Sequence, residues 1–130
     1  MLVVDTNIWI SYTLNNKGIT AEMLKAAIVK YSYGFSDETF RELTEVLLRE
    51  KFDPYFSRES RVQMLKDIAR EAKWFAPKQR ISECRDFQDN KFLELALEAN
   101  AMVVLTGDED LLVLNPFCGI PIQKISDFTG

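Results

Sequence analysis

Residues 89–108 read DNKFLELALEANAMVVLTGD. An acid, Asp89, opens the segment Asn90 to Ala99, which is rich in Leu, Ala, Glu and Lys and is expected to be a helix. The run Met102 to Leu105 is too short and too uniformly apolar for an amphipathic helix. It reads as a strand covered on both faces, as in a parallel sheet. A Thr-Gly turn then delivers Asp108. The same pattern opens the chain, where the apolar run Leu2 to Val4 ends on Asp5. Two buried parallel strands that each end in an aspartate have a direct consequence. Ligands of open α/β sheets bind beyond the carboxyl ends of the strands, so Asp5 and Asp108 are expected at one edge. Asp89, just before the second strand, falls within reach of that edge.

The remaining segments agree with an alternation of strands and helices. Residues Asp5 to Asn7 read as a turn and Ile8 to Leu14 as a short helix. Thr20 is expected to cap a helix from Ala21 to about Ser32, and Tyr33 to Phe35 to form a second strand. Ser36 is expected to cap the segment DETFRELTEVLLREKF, with Phe40, Leu43, Val46 and Leu47 on its apolar face. Ser57 is expected to cap another helix, to about Ala72, with Val62, Leu65, Ile68 and Ala69 inward. Trp74 and Phe75 read as an extended core segment, Pro77 to Gln88 as a loop, Asp108 to Leu114 as a short helix and Ile120 to Ile125 as a last strand. This order implies an α/β fold with a mainly parallel sheet. A chain of 130 residues without repeats or a Pro/Gly-rich linker fits a single domain.

Composition narrows the chemistry. Histidine is absent, which removes Ser–His and Cys–His nucleophiles and any histidine metal site. Cys84 and Cys118 make no metal motif and are read as reduced thiols. With no signal-peptide pattern and no apolar stretch of membrane-spanning length, a cytoplasmic location is the expectation. The net charge of −4 does not announce a nucleic-acid binder. Acids gathered at one place repel, however, and call for a cation. Carboxylate oxygens suit Mg²⁺ or Mn²⁺.

Each acid also has an ordinary reading. Asp89 caps a helix, Asp108 starts a turn, and Glu42 is a solvated charge on its helix. Asp5, ending a buried run, gains least from a structural role. Lys17, Arg41, Arg49, Lys51, Lys78 and Lys91 are read as surface charges ahead of phosphate contacts. Trp9 and Tyr12 divide between core, subunit interface and base stacking.

Four blocks taken in order, VVDTNI, FRELTEVL, DFQDNKFLELALEANA and VVLTGDEDLL, resemble a PIN domain. More narrowly, they resemble the PIN-family toxin components of bacterial and archaeal toxin–antitoxin systems. The resemblance implies a three-layer α/β/α, Rossmann-like scaffold and a Mg²⁺- or Mn²⁺-dependent ribonuclease. It sets the family's four acids on Asp5, Glu42, Asp89 and Asp108, its small polar residue on Asn7 and its hydroxyl on Thr106. Asp86 competes with Asp89, Glu45 competes with Glu42, and Asp110 extends the cluster beyond Asp108. A cognate protein antitoxin and a homodimer follow from the same resemblance. Two other readings stand beside it. A phosphatase of the haloacid dehalogenase type would use Asp5 as nucleophile, but wants an acid where Asn7 stands. A catalytically silent partner-binding module would have lost its metal.

Overall fold

The computed structural model describes residues 1–130. In chain order the elements are β1 (Leu2–Val4), α1 (Thr6–Leu14), α2 (Ile19–Lys30), β2 (Gly34–Phe35), α3 (Asp37–Leu47), α4 (Arg58–Glu71), β3 (Lys73–Trp74), α5 (Asn90–Ala99), β4 (Val103–Leu105), α6 (Glu109–Leu112) and β5 (Ile122–Gln123). Single 3-10 turns cover Glu50–Phe52, Phe87–Asp89 and Ile125–Asp127.

Strand β4 lies between β1 and β5, in register Val3 to Val104 and Leu105 to Gln123, and both pairs are parallel. β2 pairs in parallel with β3, and a parallel bridge from Leu2 to Tyr33 joins this pair to β1. The sheet therefore runs β3–β2–β1–β4–β5, with every neighbour parallel. Successive strand residues point to opposite faces, and the two cores divide accordingly. Leu2, Val4, Val103 and Leu105 join Ile8, Trp9, Leu24, Leu43, Leu47, Leu65 and Ile68 on the α1–α4 side. Val3 and Val104 join Phe92, Leu93, Leu95, Ala96 and Leu111 on the α5–α6 side. The parallel sheet is the one expected of the pattern, and the three-layer α/β/α arrangement is the one the resemblance implies. No helix is long and apolar enough to cross a membrane.

The helices follow their local signals in part. Ser36 caps α3 by accepting from the Thr39 amide at 3.2 Å, and Thr39 Oγ1 accepts from the Ser36 amide at 3.0 Å. This reciprocal cap fixes the first turn of the helix that carries Glu42. Ser57 caps α4 through the Ser60 amide at 3.0 Å.

Several expectations are corrected. Thr20 is no cap: α2 starts two residues earlier than expected, at Ile19, after Gly18. The last strand shortens to Ile122–Gln123. Trp74 is 44% exposed, its indole leaning on Phe35 at a ring separation of 5.8 Å and its N–H donating to the Ala69 carbonyl. It covers the outer edge strand instead of filling the core. Trp9 is 1% exposed against Tyr33 and Phe35, which removes it as a base-stacking residue.

Candidate active site

The carboxyl ends of β1 and β4 lie side by side because the two strands are paired and parallel. The Asp5 amide donates to the Leu105 carbonyl at 2.9 Å, which extends the ladder up to the acid itself. Thr106, the residue that follows β4, donates its hydroxyl to Asp5 Oδ2 at 2.6 Å. The same hydroxyl oxygen accepts from the Asp108 amide at 3.0 Å. One buried threonine thus ties the acid after β1 to the turn that carries Asp108.

Asp108 serves its ordinary role too. Its Oδ1 accepts from the Asp110 amide at 2.9 Å and caps α6. Asp89 does not. It stands at the start of α5 with no side-chain capping bond, in an αR conformation. It is 8% exposed, and its Oδ2 is buried without a hydrogen-bond partner. Burial, first, and then a carboxyl–carboxyl hydrogen bond to Asp108 and the charges of Asp108, Asp5 and Asp86 push its pKa up to about 8. The two observations fit together. When ionised, Asp89 offers only acceptors to a neighbour that also offers only acceptors, and a proton shared with Asp108 is what relieves the pair. Burial also raises Asp5, against the Thr106 hydrogen bond that lowers it, with Glu42 and Asp108 adding to the rise.

Glu42 reaches the cluster from α3. Its Oε2 accepts from the Thr6 hydroxyl, and its Oε1 lies 2.9 Å from the Lys91 ammonium. Lys91, read as a solvated charge in the sequence, is only 12% exposed in its side chain. It also donates to the Gln88 carbonyl at 2.6 Å. Thr6 and Lys91 are the contacts the sequence reading missed. Thr6 follows Asp5 and Lys91 follows Asp89 by two residues, so both were signalled only by their neighbours.

The other candidates sit further out. Asn7 is exposed on the first turn of α1. Asp86 is exposed, and its Oδ1 accepts from the Gln88 amide at 3.1 Å, holding the turn that presents Asp89. Asp110 is turned to Arg85, whose Nε donates to it at 2.8 Å. Glu45 is exposed and lines, with Glu42, Asp89, Lys91, Arg41 and Arg49, a polar trough of about 590 Å³ between α3 and the start of α5.

No trio of these carboxylates is drawn together closely enough to coordinate an ion as the side chains stand. The donor set nevertheless fits a hard divalent cation: oxygen ligands only, mutually repelling, with the buried Asp89 Oδ2 lacking any donor. A cation here would do for Asp89, Asp5 and Asp108 what the shared proton does.

A family model for the PIN domain matches residues 1–110. The chain is 32% identical over 118 residues to an uncharacterized protein of Methanocaldococcus jannaschii, an alignment that covers 87% of this chain and 74% of that protein.

Proposed function

The chain belongs to the PIN domain family, whose members are typically nucleases, and from that premise we propose that it is a metal-dependent endoribonuclease acting through Asp5, Glu42, Asp89 and Asp108. The observation that carries this reading is the buried, donorless Asp89 Oδ2 beside Asp5 and Asp108. Asp5, Asp89 and Asp108 would hold Mg²⁺ or Mn²⁺. Such an ion, when bound, lowers the pKa of water and offsets charge growing on a phosphate.

The chain's own residues supply the rest. Thr106 holds Asp5 in one orientation by its 2.6 Å hydrogen bond and positions the Asp108 backbone with the same oxygen. Glu42, clamped by Thr6 and Lys91, is the carboxylate placed to orient the attacking water or take its proton. Asp86 steadies the turn that presents Asp89. Asn7, Glu45 and Asp110 are assigned to the rim of the site. With no histidine in the chain, proton transfer falls to these carboxylates.

Incubation of the purified protein with an unstructured RNA and Mn²⁺ should yield internal cuts. EDTA should stop them, and so should Asp5→Asn, without unfolding the chain. Equal cleavage by wild type and Asp5→Asn, or cleavage unaffected by EDTA, sinks the proposal.

The same reading makes the chain the toxin of a toxin–antitoxin pair, cytoplasmic, homodimeric and silenced by a cognate protein antitoxin. A cavity of about 500 Å³ between α1, α2 and α4, lined by Trp9, Tyr12, Ile28, Val29 and Met64 among others, supports it as a surface able to receive a partner's apolar side chains. Induction of the chain alone should arrest bacterial growth, and co-expression of the antitoxin should restore it. Unimpaired growth at high expression of an RNA-cleaving protein would remove the toxin role and leave the nuclease.

A further inference from the structure

The turn that delivers Asp89 begins with Phe87, whose side chain is spent on nothing in the fold. Phe87 is 75% exposed and belongs to neither core. Its backbone is nonetheless held firmly. The Gln88 amide donates to Asp86 Oδ1 at 3.1 Å, and the Asp89 amide donates to the Asp86 carbonyl at 2.9 Å. An aromatic ring is therefore presented to solvent from a fixed turn, two residues before the buried acid.

Lys91 connects that ring to the carboxylates. It lines the polar trough with Glu42 and Asp89, and also a second hollow, of about 340 Å³, with Phe87, Gln88 and Asn90. Its ammonium has three protons to donate. Glu42 Oε1 at 2.9 Å and the Gln88 carbonyl at 2.6 Å engage two of them, leaving one for an anion at the mouth of the trough.

We propose that Phe87 is the base-stacking platform of this site and Lys91 the phosphate contact beside it, a proposal that rests on the nuclease reading of the acid cluster. A phenyl face accepts any nucleobase, and it accepts only a base that is not paired and stacked in a duplex. The strand held this way is single-stranded at the stacked base, with its sequence unread. The base sits on Phe87, its phosphate lies against Lys91, and the neighbouring phosphodiester is carried towards Asp89. Arg41 and Arg49, along the same trough, continue the phosphate track.

The test is binding of a fluorescein-labelled oligouridylate, followed by anisotropy with Ca²⁺ replacing Mn²⁺ and with gel analysis to show the strand intact. Phe87→Ala should weaken binding about tenfold or more. Phe87→Trp should bind at least as well as wild type and add an indole emission that the oligonucleotide quenches. Lys91→Ala should reduce the slope of log affinity against log salt by about one. A fully paired duplex should be indifferent to Phe87→Ala. Binding unchanged within twofold in Phe87→Ala overturns the inference, even if the wild type cleaves RNA; the exposed ring then belongs to a protein contact. Phe87-dependent binding without any Mn²⁺-dependent cleavage overturns the nuclease reading and leaves the stack standing. A wild type that neither binds nor cleaves overturns both.

Discussion

Asp89→Asn should abolish Mn²⁺-dependent cleavage and, in the same preparation, raise the melting temperature of the metal-free protein above about pH 8, where the wild-type carboxyl has given up the proton it shares with Asp108. The loss should be roughly a hundred- to a thousandfold, the scale of removing one preorganised electrostatic group from a reacting site. The gain in stability follows from the geometry. Asparagine fills the same volume, carries no charge, and gives Asp108 an N–H donor in place of a second acceptor. Relief of one buried, donorless oxygen is worth about 1–3 kcal/mol. Ordinary active-site damage lowers activity and stability together; opposite signs mark a residue whose charge the fold merely tolerates.

The pH dependence has a fixed sign. The Asp89 carboxyl is pushed up to about 8 from the ordinary 3.8. Between those values the folded chain holds more protons than the unfolded one, so unfolding becomes easier as pH rises. The slope is at most about 1.4 kcal/mol per pH unit for one proton. Asp5, also raised by burial, acts in the same direction. In EDTA the wild type should lose melting temperature as pH climbs from about 4 to about 8 and level off above it, and Asp89→Asn or added Mn²⁺ should flatten the curve. A melting temperature in EDTA that stays level or rises over that window contradicts the donorless carboxylate.

Arg61→Ala should be the most destabilising single change of those considered, by about 3–5 kcal/mol and on the order of 10–20 °C in melting temperature. Arg61 lies at 0% exposure. Its Nη1 donates to the carbonyls of Leu47 at 2.9 Å and Arg49 at 3.1 Å, and its Nε donates to that of Phe56 at 3.1 Å. Its Nη2 pairs with Asp53. It therefore closes the C-terminal end of α3, the helix of Glu42, onto the chain entering α4. Truncation strands several carbonyls at once and opens a cavity. Arg61→Lys should rescue little, because an ammonium cannot reproduce the planar fork. Chemical denaturation of both variants reads this directly. An Arg61→Ala protein within about 1 kcal/mol of wild type would show that the guanidinium is merely a surface pair.

The sequence made β1, β4, α5 and the caps at Ser36 and Ser57 legible because their signals are local. Apolar runs of strand length, a helix between them and a hydroxyl before an acidic first turn need no knowledge of the rest of the chain. The strand-end logic likewise brought Asp5 and Asp108 to one edge. What it could not supply is anything decided by a distant partner. Arg61 looks like any helix-surface arginine until the carbonyls of two other segments surround it. Lys91 becomes a cleft residue only because α3 presents Glu42 to α5. Asp89 resembles a helix cap by position, and only its missing capping bond separates it from one. Trp74 was misread because a large aromatic in an extended segment suggests core, whereas β3 is the outermost strand and leaves its ring at the margin.

The hydrogen bond from Thr106 to Asp5 joins residues 101 positions apart in the chain. Neither Asp89 nor Asp108 exists when β1 leaves the ribosome, and Asp5 then has no partner to complete a centre. If this cluster cuts RNA, the nascent chain is harmless to the message being translated and to the translating machinery until β4 has been made and has docked beside β1. The order of the acids along the polypeptide would act as a timer, postponing the first moment of activity until β4 and the turn after it have been made.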